Sequence, residues 1–206
     1  MKTELYYVHD PMCSWCWGFS SALTGLLQKL PREIKVIRLL GGLAVDSNVP
    51  MPDSMKDYLK TSWSRIEDRI PGVKFNFDFW SKCTPRRSTY PACRAVIAAR
   101  KQGDAFDKKM TQAIQQAYYQ QARNPSDNET LIELADELGL SVTEFEKDLS
   151  SKETEQVLKQ EIMQARELYA ESFPNLVLVV DDASFSIPIN YNDSQSMLDA
   201  ISSHLK

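Results

Sequence analysis

Two cysteines near the start of the chain have the spacing of a redox-active dithiol. Cys13 and Cys16 follow a short apolar stretch and open a predicted helix, in the segment Asp10-Pro-Met-Cys-Ser-Trp-Cys-Trp-Gly-Phe19. Side chains three residues apart lie on one face of a helix, so the two sulfurs can pair. The first sulfur would sit where free backbone N–H groups point outward, which favours a thiolate. The spacing therefore predicts thiol–disulfide exchange.

The elements around the dithiol form a predicted βαβ unit. Residues 5–8 are β-prone and end at Asp10-Pro11, which cannot continue a ladder. Apolar residues from Phe19 to Leu30 recur at helical spacing, and residues 34–40 then form a second apolar strand. Two strands joined by a helix within so short a segment are expected to be parallel.

From about Val45 the pattern becomes helical and stays so for about a hundred residues. Apolar residues in 55–70 form one amphipathic stripe, whereas residues 73–79 alternate apolar and polar side chains and predict an extended segment with one aromatic face. Ser126 and Ser141 each precede a glutamate by three residues, which predicts two helix starts with capping boxes.

The end of the chain returns to a strand pattern. A long helix is expected to begin near Ser150 or Ser151, followed by strands over 173–180 and 185–189 and by a closing helix. The prediction is an α/β fold of residues 1–44 and 152–206, interrupted by an inserted all-helical domain of residues 45–151 that covers the dithiol.

Bulk properties exclude several classes of function. The net charge of −4 and pI of about 5.3 give no basic surface for nucleic acid. No apolar run approaches the ~20 residues that a membrane-spanning helix needs, and the first residues lack the apolar core of a secretory signal. Four cysteines are too few for a disulfide scaffold. We expect a cytoplasmic protein with no membrane or nucleic-acid partner, either monomer or homodimer.

Four segments together resemble the DsbA family of thioredoxin-fold thiol–disulfide oxidoreductases, and in particular its FrnE-like branch of predicted protein disulfide isomerases. These segments are Asp10-Pro-Met-Cys-Ser-Trp-Cys16, Tyr90-Pro-Ala-Cys-Arg-Ala-Val96, Ile114-Gln-Gln-Ala-Tyr-Tyr119 and Ser172-Phe-Pro-Asn-Leu-Val-Leu178. The resemblance covers nearly the whole chain and implies a thioredoxin-like fold of βαβ and αββα halves.

The resemblance also implies roles for individual residues. Cys13 would be the nucleophile and Cys16 the resolving cysteine, with the dithiol itself as the only redox group and no metal or bound cofactor. Pro174 would be a cis-proline facing the dithiol, and Phe173 would offer backbone groups to an extended substrate. The remaining expected substrate-binding residues are Ser14, Trp15, Met12 and Tyr90. For Met12 and Trp15, a rim that grips substrate and plain packing both stay open.

The dipeptide Ser14-Trp15 between the cysteines contains no cation. Electrostatic support for a Cys13 thiolate would then come mainly from the helix backbone, which favours a reductase or isomerase over a strong oxidant. The substrate would be a protein or peptide thiol or disulfide, or glutathione as a co-substrate.

Several alternatives stay open. A glutathione-dependent transferase or isomerase of the kappa class is similar in scaffold, although serine usually replaces the first cysteine there. A binding module that retains the fold without turnover is the second rival. Cys83 and Cys93 are interpreted as buried thiols, as a second redox pair, or as zinc ligands together with the dithiol, although their spacing is unlike the C-x₂₋₄-C of structural zinc sites. His9 is expected to make a structural hydrogen bond, and Asp10 to influence the dithiol electrostatically.

Overall fold

The fold was analysed in a computed structural model that describes residues 2–205. Within that range the chain begins with β1 (Thr3–His9), α1 (Ser14–Lys29) and β2 (Lys35–Leu40). Six helices follow: α2 (Asp53–Arg69), α3 (Phe79–Lys82), α4 (Tyr90–Lys101), α5 (Ala105–Tyr119), α6 (Asn128–Glu137) and α7 (Val142–Leu149). The last elements are α8 (Lys152–Glu167), β3 (Asn175–Val180), β4 (Ala183–Ile187) and α9 (Ser194–Ser203).

The strands form one mixed sheet in the order β2-β1-β3-β4. β1 pairs in parallel with β2, as the βαβ pattern predicts, and antiparallel with β3, which forms a hairpin with β4. β1 is therefore a central strand, and its C-terminal end carries the dithiol segment into α1. The predicted α/β, thioredoxin-like fold is confirmed.

Both faces of the sheet are covered, because successive residues of a strand point to opposite sides. Leu5 and Tyr7 of β1 pack with Phe19 of α1 and Met197 of α9 on one face. Tyr6 and Val8 pack on the other face, with Ala165 of α8 in the same cluster. Burial of both faces makes β1 a rigid base for the segment that follows it.

The six helices between β2 and α8 have a core of their own. Trp63 of α2 is its largest fully buried side chain, and its ring lies within 6.0 Å of those of Phe75, Phe79 and Tyr119. Met12, from the dithiol segment, belongs to the same cluster. Aromatic packing thus joins the helices to the dithiol segment; the division into two domains at residues 45–151 stays a prediction.

Residues 73–76 belong to no helix or strand, and the rings of Phe75, Phe77 and Phe79 all lie with centroids within 6.0 Å of the Trp63 ring, so the predicted aromatic face is present. The Asn76 carboxamide accepts a hydrogen bond from the backbone of Asp78 at 3.0 Å, which turns the chain into α3. One local prediction is wrong. The Ser126 hydroxyl donates to the Ser88 carbonyl at 2.7 Å instead of capping a helix, and α6 begins two residues later. The capping box at Ser141 is confirmed, since its hydroxyl accepts from the backbone of Glu144.

Among residues 2–205, none of the helices combines the length and the apolar character that crossing a membrane requires.

Candidate functional site

Cys13 is the N-cap of α1, in extended conformation, and Ser14 is the first helical residue. The Cys13 amide donates to the Asp10 carbonyl at 3.0 Å, and the Cys13 carbonyl accepts from Trp17 at 3.1 Å. These bonds fix the turn that joins β1 to α1. Cys13 thus lies at the N-terminal end of α1, the positive end of the helix dipole.

The opposite wall of the site is the residue before a proline. The Phe173–Pro174 peptide bond is cis, and the Cys13 thiol donates to the Phe173 carbonyl at 3.5 Å. The aromatic ring of Phe173 turns away from the sulfur and packs against Gly41, where an added Cβ would lie 2.0 Å from Cε1 of the ring. The chain therefore accommodates a bulky residue before the proline by leaving position 41 without a side chain.

Cys16 lies below Cys13 and is 1% exposed. Burial raises the pKa of the Cys16 thiol well above its ordinary value, and the neighbouring Cys13 sulfur raises it further. The two cysteines are both reduced here. One sulfur at the helix N-terminus and one buried protonated thiol beside it make the two cysteines chemically unequal.

A buried carboxylate supports the dithiol segment from below. Asp10 is fully buried and accepts hydrogen bonds from the amides of Met12 and Leu43, at 2.8 and 2.7 Å. It also accepts from the Thr89 hydroxyl at 2.6 Å and from the Cys93 thiol at 3.5 Å. Burial raises the pKa of the Asp10 carboxyl, and these hydrogen bonds oppose that shift. Asp10 therefore ties the dithiol turn to the loop after β2 and to the start of α4.

A cavity of about 180 Å³ opens beside Cys13. From the dithiol side and the opposite wall it is lined by Met12, Cys13, Ser14, Trp15 and Phe173. From residues 45–151 it is lined by side chains that include Met51, Tyr58, Trp63, Arg86, Arg87, Ser88, Thr89 and Tyr118. A substrate that reaches Cys13 through this cavity would touch both parts of the chain.

The expected substrate-binding residues do not all meet at the cavity. Met12 is buried yet lines it, and Trp15 is half-buried, with its ring tilted against that of Tyr191 at a centroid distance of 5.2 Å. Tyr90 lies elsewhere: its ring sits against Gly42, where an added Cβ would lie 2.9 Å from Cε1. The contact predicted for Tyr90 belongs instead to the residues just before it, since Ser88 and Thr89 line the cavity.

The other two cysteines lie in separate environments. Cys93 is fully buried on Asp10, and burial raises the pKa of its thiol well above the ordinary value. Cys83 is half-buried and its thiol donates to the Ala122 carbonyl at 3.1 Å. They form no disulfide. Within residues 2–205, no three His, Cys, Asp or Glu side chains are grouped as metal ligands.

His9 has the structural role expected of it. Its ring is fully buried, stacks on Tyr7 with centroids 4.8 Å apart, and lies with Nε2 3.1 Å from an Arg38 nitrogen. Burial, followed by the charge of Arg38, lowers the pKa of His9 well below its usual range. His9 is not among the residues that line the cavity at Cys13.

Sequence reasoning missed the polar wall that the helices contribute. Arg86 and Arg87 were assigned no role from the sequence, yet both line the cavity at Cys13. Thr89 was also assigned no role, and its hydroxyl donates a hydrogen bond to the Asp10 carboxylate. Their position in the sequence could have identified these three residues, because they lie just before the segment beginning at Tyr90 that carries the family resemblance.

Residues 6–198 match a family model described as Thioredoxin, and the chain belongs to this thioredoxin family. The fold of the described residues agrees with this class.

Solved structures with the same fold include DsbA-family oxidoreductases. A Nitrosomonas europaea protein proposed to be a protein disulfide isomerase is 24% identical, covers 100% of this chain and 98% of its own, and has a TM-score of 0.85. The cytosolic disulfide reductase DsbM of Pseudomonas aeruginosa is 22% identical, covers 98% of both chains and has a TM-score of 0.77. DsbM has also been determined with GSH, at a TM-score of 0.75 and 21% identity over 98% of both chains.

Curated relatives carry a different name. The ClpXP adapter protein SpxH of Bacillus subtilis is 25% identical over 195 residues, which is 92% of this chain and 63% of the relative. The SpxH of Halalkalibacterium halodurans is 24% identical over 183 residues, 87% of this chain and 59% of the relative. The chain thus spans about three fifths of the length of the curated relatives it matches.

Proposed function

We propose that this protein is a thiol–disulfide oxidoreductase of the reductase or isomerase type, in which Cys13 attacks and Cys16 resolves. The observation that carries the proposal is the contact of 3.5 Å between the Cys13 thiol and the Phe173 carbonyl, at the edge of a cavity and above a buried Cys16. Both sulfurs are buried, but Cys13 lines the cavity and Cys16 does not, so a disulfide in the cavity meets Cys13 first.

The reaction proceeds in two exchanges. The Cys13 thiolate attacks one sulfur of a substrate disulfide, forms a mixed disulfide and releases the other substrate sulfur as a thiolate. Cys16 then gives up its proton and attacks the Cys13 sulfur, which forms the Cys13–Cys16 disulfide and releases the second substrate thiolate. Two electrons pass from the enzyme to the substrate. Two equivalents of a small thiol return the dithiol by the reverse exchanges and become a disulfide.

The cis-proline wall suits an extended peptide. The backbone of Phe173 already meets the Cys13 sulfur, so a substrate segment lying along it would present its own sulfur in the same place. Met12, Ser14 and Trp15 would contact the side chains of such a segment from the dithiol side. The substrate class is therefore a protein or peptide disulfide, or a small disulfide such as that of glutathione, in the cytoplasm.

Reduction of insulin by a thiol-recycled enzyme tests the proposal. Wild-type protein is expected to accelerate the reaction, and Cys13→Ser to abolish the acceleration. Cys83→Ser is the matched control, because its hydroxyl can still donate to the Ala122 carbonyl and the site is elsewhere. Full activity in Cys13→Ser, or equal loss in both variants, would refute the proposed role of Cys13.

A second candidate is a protein-binding module, favoured by the similarity to SpxH adapters. The segment between β2 and α2 exposes two apolar side chains, Val45 at 63% and Val49 at 71%. Tyr58 of α2, which lines the cavity, is 67% exposed. An adapter would use such a surface without exchanging disulfides. Binding of a partner that survives Cys13→Ser, in a protein that lacks insulin reductase activity, would favour this function over the first.

A further inference from the structure

The cavity beside Cys13 is basic although the protein is acidic. The net charge of the chain is −4, yet the side chains that line this cavity include two arginines and no aspartate or glutamate. Asp10 lies beneath the cavity floor, fully buried and saturated with hydrogen-bond donors. A ligand in the cavity therefore meets positive charge beside the reacting sulfur.

Arg86 and Arg87 differ in their contacts within the protein. Arg86 pairs with Asp127 at 2.5 Å and donates to the Ser126 carbonyl at 2.7 Å, both through Nη2, and its Nε is buried without a hydrogen-bond partner among the described residues. Arg87 is exposed and forms no ion pair among the described residues, whereas the next arginine along the chain, Arg94, pairs with Asp46. Of the two cavity arginines, Arg87 is thus the exposed one and the one without a carboxylate partner.

Arg87 lies beside polar groups that line the same cavity. Arg87 and Tyr118 both line the cavity, and the positive charge of Arg87 opposes the rise in the pKa of the Tyr118 hydroxyl that burial causes. Ser62 of α2 is a further hydroxyl on the lining. A guanidinium beside hydroxyl groups, next to apolar Met51, is a suitable setting for an anion carried on a small organic molecule.

We infer that Arg87 binds a carboxylate of the disulfide that Cys13 attacks, and that the enzyme therefore prefers small carboxylate-bearing disulfides. The inference rests on the proposed function, because it names the substrate of the same site. The guanidinium fork matches a carboxylate in two parallel hydrogen bonds, which fixes both the position and the orientation of the substrate. Glutathione disulfide is the probe of this class.

The exchange at this subsite is the one written above. Cys13 attacks one sulfur of glutathione disulfide, retains one glutathione in a mixed disulfide and releases the other as a thiolate; Cys16 then displaces the retained glutathione. Arg87 takes no part in bond making. It holds the carboxylate while the sulfurs align, and so it acts as a specificity residue.

Single-turnover oxidation of the reduced protein by two disulfides tests the assignment. In Arg87→Gln, the second-order rate constant with glutathione disulfide is expected to fall by about tenfold or more, while the rate constant with neutral bis(2-hydroxyethyl) disulfide stays within about twofold. Arg87→Lys should be intermediate, since an ammonium keeps the charge without the fork.

Arg32→Gln is the matched control. It removes the same charge from an exposed position beyond the C-terminal end of α1, and a helix of 16 residues places that end roughly 24 Å from Cys13. Its rate constants should equal those of the wild type.

Two kinds of outcome would contradict the account at different levels. If Arg87→Gln left both rate constants at their wild-type values, or lowered both by the same factor, the carboxylate subsite would be refuted while the oxidoreductase function would stand. Failure of the wild type to react with any disulfide would instead refute the proposed function itself.

Discussion

The ring of Phe173 occupies the space that a side chain at residue 41 would need, since a Cβ on Gly41 would lie 2.0 Å from Cε1 of that ring. The same residue presents its carbonyl to the Cys13 thiol at 3.5 Å. Gly41 at the end of β2 and Phe173 before β3 therefore set the position of the wall that faces the dithiol, although Gly41 itself touches no reacting atom.

Gly41→Ala is expected to displace Phe173 and to disturb the wall. Overpacking at such a contact costs about 1–3 kcal/mol of unfolding free energy, and misplacement near reacting atoms lowers rates by about tenfold to a hundredfold. Chemical denaturation and insulin reduction measure the two effects. The double variant Gly41→Ala, Phe173→Ala restores space and should recover much of the activity. No recovery would show that Gly41 acts independently of Phe173.

Thr89→Val is expected to destabilise the protein by about 2–3 kcal/mol, because it removes a hydrogen bond to the buried Asp10 carboxylate and the acceptor of the Ala44 amide. Thr24→Val is the control: its hydroxyl bonds the Ser20 carbonyl on the exposed side of α1, so its effect should stay within about 0.5 kcal/mol. Urea denaturation compares them. An equal loss of unfolding free energy in the two variants would mean that the Thr89 hydroxyl does not stabilise the buried Asp10 carboxylate.

The pH dependence of the second exchange follows from the buried Cys16. Because its pKa is raised well above the ordinary value, Cys16 is a protonated thiol at neutral pH, and its thiolate fraction rises about tenfold per pH unit. With dithiobis(nitrobenzoate), the first nitrothiolate reports attack by Cys13 and the second reports attack by Cys16. The second phase should accelerate about tenfold per unit between about pH 7 and 9. A flat profile would show that a protein base removes the proton instead.

The reduction potential of the Cys13–Cys16 pair distinguishes reductase and isomerase from oxidant. No cation lies between the cysteines, so the dithiol is expected nearer the thioredoxin value of about −270 mV than the value of about −120 mV of the strong periplasmic oxidant DsbA. Equilibration in glutathione buffers gives the potential. A value near −120 mV would contradict a reducing role.

Local sequence patterns were sufficient for most of the fold. The apolar spacing of α1 and the short βαβ segment predicted parallel β1 and β2, because hydrophobic periodicity reports directly on which face is buried. The alternation over 73–79 predicted the aromatic face that packs on Trp63. It did not predict the turn into α3, which depends on the hydrogen bond from the Asp78 amide to the Asn76 side chain.

The site was predictable only where residues are adjacent in the chain or carried by a family motif. The spacing of Cys13 and Cys16 predicted the dithiol, and the family resemblance predicted a cis bond before Pro174. The contact between Asp10 and Cys93 spans 83 positions and depends on how α4 packs against the end of β1, which no local pattern encodes. The proposed role of Arg87 was likewise not predictable, because it depends on which arginines pair with carboxylates in the folded chain.

The most direct test of the central claim is to trap the mixed disulfide. In Cys16→Ser the resolving thiol is missing, so the first exchange with glutathione disulfide should leave one glutathione on the protein. Intact-mass measurement followed by peptide mapping should find it on Cys13, at close to one per chain and reversible by dithiothreitol. No adduct, or an adduct on Cys83 or Cys93 with Cys13 unmodified, would contradict the assignment of Cys13 as the attacking residue.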